Sequence, residues 1–208
     1  MKEIVKKPNQ IFLGYQPKKN NDEEEITQIK KEEKWGEDYY FKILNRERYI
    51  LLYSPIEDES ADILVTKIKA MNYLDNKRKI TIEINSPGGD ISAGFTIINA
   101  IEQSEAPIHT ICSGEACSMA ALIFITAKKR KMYHNSYIMF HPLQEGQCDY
   151  LQYIKDRVKF LTQLEKTMSG LCKKYTKLTS LDMHKMNAGE LWLTAQEALQ
   201  KKVCDEII

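Results

Sequence analysis

The sequence is poor in the features that mark several large protein classes. No stretch of its 208 residues approaches the roughly 20 consecutive apolar residues that a membrane helix needs. The longest apolar runs are short, as in Ala120 to Ile125, and read as core. Met1 to Gln10 has lysines but no apolar segment, so a secretory signal is not expected. Five cysteines, at 112, 117, 148, 172 and 204, are an odd number without C-x-x-C spacing, which argues against a disulfide framework and a zinc site. The four histidines, His109, His134, His141 and His184, also lack metal-ligand spacing. Excess charge of one sign is missing too, with 30 Lys plus Arg against 29 Asp plus Glu. A protein built to hold a phosphate backbone usually has a strong basic excess, so nucleic acid is not an expected partner. There is no internal repeat. These absences together describe a soluble, cytoplasmic protein of a reducing compartment, with no metal and no membrane association expected.

Hydrophobic residues make up 43% and charged residues 28%, enough for the packed core of one sizeable domain. Asn20 to Lys34 is almost wholly polar, with Asp22, Glu23, Glu24 and Glu25 ahead of Lys30, Lys31, Glu32, Glu33 and Lys34. Residues 1–38 are therefore expected to form a flexible polar tail, and residues 39–208 a single domain.

Strand and helix signals alternate through that domain. Arg48 to Tyr53 reads as a buried strand. Ser60 to Leu74 carries Ala61, Leu64, Ile68 and Met71 at helical spacing, and Ile80, Ile82 and Ile84 alternate with polar residues as in a strand. Asn85 to Asp90 breaks that strand. A helix over Ile91 to Ile101, a strand over Ile108 to Cys112, a small-residue turn over Ser113 to Cys117 and an apolar helix over Ser118 to Thr126 follow. Ser136 to Phe140 reads as a strand, Leu151 to Leu171 as a long helical stripe, and Thr194 to Glu197 as a capping box before a short helix. The alternation predicts an α/β fold with mostly parallel strands and right-handed crossovers.

Four features could carry chemistry. Gly88 and Gly89, after Pro87, let a backbone come close and leave an N–H to donate, although an ordinary tight turn would look the same. The lysine and spacing of a phosphate loop are absent. Ser118 lies among small residues at a strand-to-helix transition, where helix N–H groups favour developing negative charge; an N-cap serine is the commoner role. His141 directly follows an apolar strand and could project into a site, as could a merely satisfied histidine. Glu190 alone is an exposed carboxylate. In chain order, however, these are a glycine turn, a nucleophile, a base and an acid on successive strand ends.

Five motifs in order then resemble the Clp protease proteolytic subunit family from about Asp38 to Ile208. They are Arg46 to Leu52, Ile84-Asn85-Ser86-Pro87-Gly88-Gly89-Asp90, Gly114-x-Ala116-x-Ser118-Met119, Ile138-Met139-Phe140-His141-Pro142, and Leu193-Thr194-Ala195-Gln196-Glu197-Ala198 with Val203 to Glu206. The resemblance implies the fold shared with crotonases: repeated β-β-α units, a mostly parallel sheet and a protruding handle helix, here Leu151 to Leu171. It implies a serine endopeptidase, with Ser118 as nucleophile, His141 as general base, and the N–H groups of Gly89 and Met119 as oxyanion hole. The family's aspartate position holds Glu190, with Asp182 as the alternative third member. Extended substrate is expected along Gly88, Gly89, Asp90 and Ile91 and along Pro142 and Leu143. No cofactor is implied.

The implied partners are unfolded polypeptides and further copies of the chain, in heptameric rings stacked as a tetradecamer. An ATP-driven (AAA+) unfoldase is a further candidate, although Thr81 and Glu83 stand where the family usually presents aromatics to it. The glutamate and the Trp192-Leu193-Thr194 ending resemble phage-type members, for which capsid or scaffold maturation is an alternative role. A non-catalytic ring subunit and a crotonase-type enzyme are the other readings.

Overall fold

The computed structural model describes residues 37–144 and 150–208. The polar stretch from Asn20 to Lys34 lies outside them. Helix α1 (Glu37–Arg46), which the sequence reading did not anticipate, ends the first of two units, Met1–Ile43, and runs into the second, Leu44–Ile208. All other described elements belong to the second unit. In order they are β1 (Tyr49–Leu52), α2 (Asp58–Leu74), β2 (Ile80–Ser86), α3 (Ile91–Glu102), β3 (Ile108–Cys117), α4 (Met119–Thr126), β4 (Lys129–Met132) and β5 (Tyr137–Phe140). After these come α5 (Leu151–Tyr175), α6 (Ser180–Ala188), β6 (Leu191–Thr194), α7 (Ala195–Gln200) and β7 (Glu206–Ile207).

The fold is mixed α/β, with a mostly parallel sheet as expected. The strand path is β1-β2-β3-β4-β7, with β5 pairing β3 and β6 pairing β5. Among the described pairs only β5–β6 is antiparallel. Helix α4 is apolar all round, and every one of its residues from Met119 to Thr126 is buried, as befits a helix enclosed by protein. Gly94 on α3 admits it: a Cβ there would lie 2.3 Å from the Met119 side chain.

One local reading needs correction, and two local features add to the rest. Ser113 to Cys117 is strand, not turn. The β2–β3 register slips between Ile84 and Ser86, so that Ser86 pairs with Ala116. The Asn85 side chain fills the slip, its Oδ1 accepting from the Glu115 N–H at 3.1 Å. Beyond the slip, β3 changes neighbour: residues 109–112 pair with β4 and residues 115–117 with β5. Second, Thr81 is buried rather than presented, because it sits in register between the larger side chains of Tyr49 and His109. The hydroxyls of Tyr49 and Tyr53 both donate to Glu83. Third, Lys129–Met132 forms a strand that its charged composition hides. Arg130 faces inward, donating from Nε and Nη2 to both Asp205 oxygens at 3.0 and 2.8 Å and from Nη1 to the Tyr175 carbonyl.

Helix α5 leaves its predicted stripe only partly covered. Leu151 and Val158 are exposed, Ile154, Leu161 and Leu164 are half-buried, and only Cys172 is fully buried. Among the described residues no helix is long and apolar enough to cross a membrane.

Burial pushes the Asp205 carboxyl up, but the Arg130 hydrogen bonds and charge outweigh this and hold it below its ordinary value. Removing one partner of such a pair leaves a buried charge uncompensated. Asp205→Ala is expected to cost about 3 kcal/mol, read as a lower urea midpoint with unchanged slope.

Candidate active site

The site lies at the carboxyl ends of β2, β3 and β5. Ser118 follows β3 directly and precedes α4, with φ 57° and ψ −123°. A non-glycine residue in that region is strained, and such strain persists only where the surroundings fix it. Here the Ser118 N–H donates to the Met139 carbonyl at 2.8 Å, tying the turn to β5. Among the described residues the Ser118 hydroxyl has no hydrogen-bond partner. The neighbouring Cys117 thiol is buried and lies beside Glu115, which together push its pKa up to about 12, so it stays protonated and does not compete as a nucleophile.

The glycine turn packs directly under this serine. Gly88 has φ +94°, and a Cβ there would lie 2.5 Å from the Cys117 carbonyl oxygen and 2.7 Å from Ser118 Cβ. Gly89 has φ +153° and lies against Ile56, where a Cβ would meet the Ile56 carbonyl oxygen at 2.2 Å. The Ile56 N–H donates to the Gly88 carbonyl at 2.8 Å, and the Asp90 N–H donates to the Ile56 carbonyl at 2.7 Å. One edge of the turn is therefore occupied by the chain itself. By strand alternation the N–H and carbonyl of Gly89 face the other way. Neither the Gly89 nor the Met119 N–H has an acceptor among the described residues. The Asp90 side chain is also engaged, capping α3 by accepting from the Ala93 N–H at 2.8 Å.

His141 follows β5 and is half-buried. Parallel pairing of Cys117 with Met139 brings the residues after each strand, Ser118 and His141, to the same end of the sheet. Both line one cleft, with Phe140, Pro142 and Leu143. His141 Nδ1 lies 2.6 Å from the Pro142 carbonyl oxygen. A carbonyl can only accept, so Nδ1 is the donor here, and in the neutral ring the lone pair is on Nε2.

The acid position divides into backbone and side chain. Antiparallel pairing of Phe140 with Leu191 puts Glu190, one step further on, opposite His141. Its carboxylate, however, accepts from the Trp192 indole N–H at 2.7 Å and is exposed. Asp182 is used elsewhere. It is buried at the start of α6, accepting from the Thr179 N–H and hydroxyl and from Lys201 Nζ, 2.8 Å from both oxygens. The structure thus brings Ser118, His141, Gly88, Gly89, Met119, Pro142 and Leu143 together. It leaves the Glu190 carboxylate turned to Trp192 and Asp182 built into the scaffold. The sequence reading did not single out Glu165, Ser169, Cys172 and Met186, which α5 and α6 also bring to the cleft. Their i, i+4 and i+7 spacing on α5 is a legible signal, hidden beneath the longer apolar stripe.

These features define the class anticipated from the sequence, a mixed α/β fold with a mostly parallel sheet, of the Clp protease type. More narrowly, the family model described as Clp protease matches residues 30–208, and the chain belongs to that family. The protein described as "ATP-dependent Clp protease proteolytic subunit 3, chloroplastic" from Arabidopsis thaliana is 39% identical over 101 residues. That match covers 48% of this chain and 33% of the relative, so it spans about a third of the relative's length.

Two outcomes follow from this geometry. Gly88→Ala meets both a positive φ and backbone, and is expected to cost about 1–3 kcal/mol and to abolish labelling of Ser118 by a fluorophosphonate probe. For Asp182, burial pushes the carboxyl up, but Lys201 and Thr179 overcome this and bring it down to about 2. The folded value lies below the unfolded one, so this stabilisation is present above the ordinary carboxylate range and is lost as pH falls toward about 2. In denaturation scans the stability gap between wild type and Asp182→Asn should narrow across that acid window.

Proposed function

We propose that the chain is a serine endopeptidase that cleaves extended polypeptides. The observation that carries this reading is the strained Ser118 turn, with the two N–H groups of Gly89 and Met119 unused beside it and His141 on the adjoining strand end. Ser118 Oγ attacks the scissile carbonyl carbon and His141 Nε2 takes its proton. The carbonyl oxygen becomes an oxyanion that accepts from the Gly89 and Met119 N–H groups; one such donor is typically worth about 3 kcal/mol. His141 then returns the proton to the leaving amine as the C–N bond breaks. Water attacks the resulting ester with His141 again as base, releasing the acid and restoring Ser118.

Substrate adds as a strand on the open edge of the glycine turn. Since Gly88 and Asp90 are bonded to Ile56, Gly89 and then Ile91 are the main-chain contacts on one side, with Pro142 and Leu143 on the other. Glu190 is the orienting acid. Its register opposite His141 supports this role, which requires the carboxylate to exchange the Trp192 indole for the His141 Nδ1–H. The alternative of a non-catalytic ring subunit draws its support from that same Trp192 contact. The exposed apolar residues of α5 favour assembly with further copies into rings. The relative's name includes ATP dependence. For this chain, docking of a standard ATP-driven unfoldase is expected to be weak, since Thr81 is buried and Glu83 is held by two tyrosines.

The full chain treated with a fluorophosphonate should label at Ser118 and lose all labelling in Ser118→Ala. In peptide hydrolysis, His141→Ala should lower kcat on the order of a hundredfold or more. Glu190→Ala should lower kcat on the order of tenfold or more, with partial recovery in Glu190→Asp, while Asp182→Ala alters stability instead. An assembled sample with no Ser118-dependent labelling would overturn the peptidase reading in favour of the structural one.

A further inference from the structure

The cleft beside Ser118 is graded from apolar to charged along one helix face. Its floor is made by Leu122 on α4, Cys172 on α5 and Met186 on α6, all buried. Moving out along α5, half-buried Met168 and Ser169 follow, and then Glu165, which is exposed at the rim. Residues 165, 168, 169 and 172 share one face because they are three, four and seven apart. At 1.5 Å per residue, Glu165 lies about 10 Å from Cys172 along the helix. A side chain lying in this cleft beside Ser118 therefore has methylenes and sulfur beneath it and a carboxylate at the wet rim.

That carboxylate has no counter-ion. Glu165 makes no hydrogen bond or ion pair among the described residues. Four other acids of the domain are paired, Glu102 with Lys174, Asp182 with Lys201, Asp205 with Arg130, and Glu206 with Lys129 and Lys131, and Glu165 differs from the remaining exposed acids in lining the cleft beside Ser118. An unpaired carboxylate at the mouth of an apolar cleft suits an occupant with an apolar stem and a cationic head. Lysine and arginine lie along such surfaces in this way, stem buried and charge at the wet end. A glutamate side chain there would face like charge and be rejected.

Resting on the peptidase reading above, we propose that Glu165 makes this cleft the subsite for the residue on the acyl side of the cut bond and sets a preference for lysine or arginine there. Glu165 acts on selection and touches none of the reacting atoms. Its rim is wet, so the preference is modest: an exposed ion pair contributes up to about 1 kcal/mol, roughly fivefold.

The test uses the full chain and fluorogenic peptides that differ only at that residue, carrying lysine, leucine or glutamate. Wild type should rank them lysine, leucine, glutamate by kcat/KM. Glu165→Gln should shrink the lysine-to-leucine ratio about fivefold. Glu165→Lys should favour glutamate over lysine. Added salt should narrow the wild-type ratio and leave that of Glu165→Gln unmoved, a response that a purely structural role would not give. Phosphonate probes with cationic and apolar side chains give the same comparison as labelling rates at Ser118. If Ser118 labels but shows no cationic preference, or Glu165→Gln leaves the ratio intact, the role of Glu165 is overturned and the peptidase reading stands. If Ser118 takes no probe at all, the peptidase reading falls and this one falls with it.

Discussion

The site depends on β3 having two neighbours in succession. In its first half it pairs with β4, and in its second with β5. The slip against β2 that permits this is filled by the Asn85 side chain, and Gly114 must lack a Cβ for Asn85 to fit, since one would lie 2.4 Å from its Oδ1. Turned onto β5, the end of β3 delivers Ser118 to the Met139 carbonyl. That hydrogen bond holds a backbone conformation that an L-residue resists, and it fixes where the histidine two residues later emerges. Strain at Ser118 and placement of His141 are thus one constraint seen on two strands.

A second layer follows from the same pairing. β6 reads its register from β5, so Leu191 and Leu193 face the core with Phe140 and Ile138, while Glu190 and Trp192 fall on the face of His141 and Tyr137. Tyr137 and Trp192 then pack together, ring centroids 5.5 Å apart. The acid position is set by sheet geometry before any side chain chooses a rotamer. The side chain currently chooses Trp192.

Much of the fold was legible because parallel α/β proteins punctuate themselves. The apolar helices and the KITIEI strand are local patterns, and the capping box at Thr194 closes as its spacing requires, with Glu197 Oε2 accepting from the Thr194 N–H at 2.9 Å. The Gly88–Gly89 turn and Ser118 were legible for the same reason, through residues that need special backbone. What escaped was long-range. Lys129–Met132 is a strand between β3 and β7 whose inward-facing Arg130 is paired with Asp205, 75 residues away. Ser113 to Cys117 looks like a turn until Asn85 supplies a partner from another strand. The roles of Glu190 and Asp182 differ by hydrogen bonds that no local spacing encodes.

The histidine carries one more implication. The acceptor that sets its tautomer is a main-chain carbonyl, that of the following proline. A carbonyl does not titrate, is not screened by salt, and survives every side-chain substitution at position 142. The ring's orientation is therefore tied to the path of the chain, and an acid that is to hold the Nδ1–H, as proposed for Glu190, has to displace that carbonyl first.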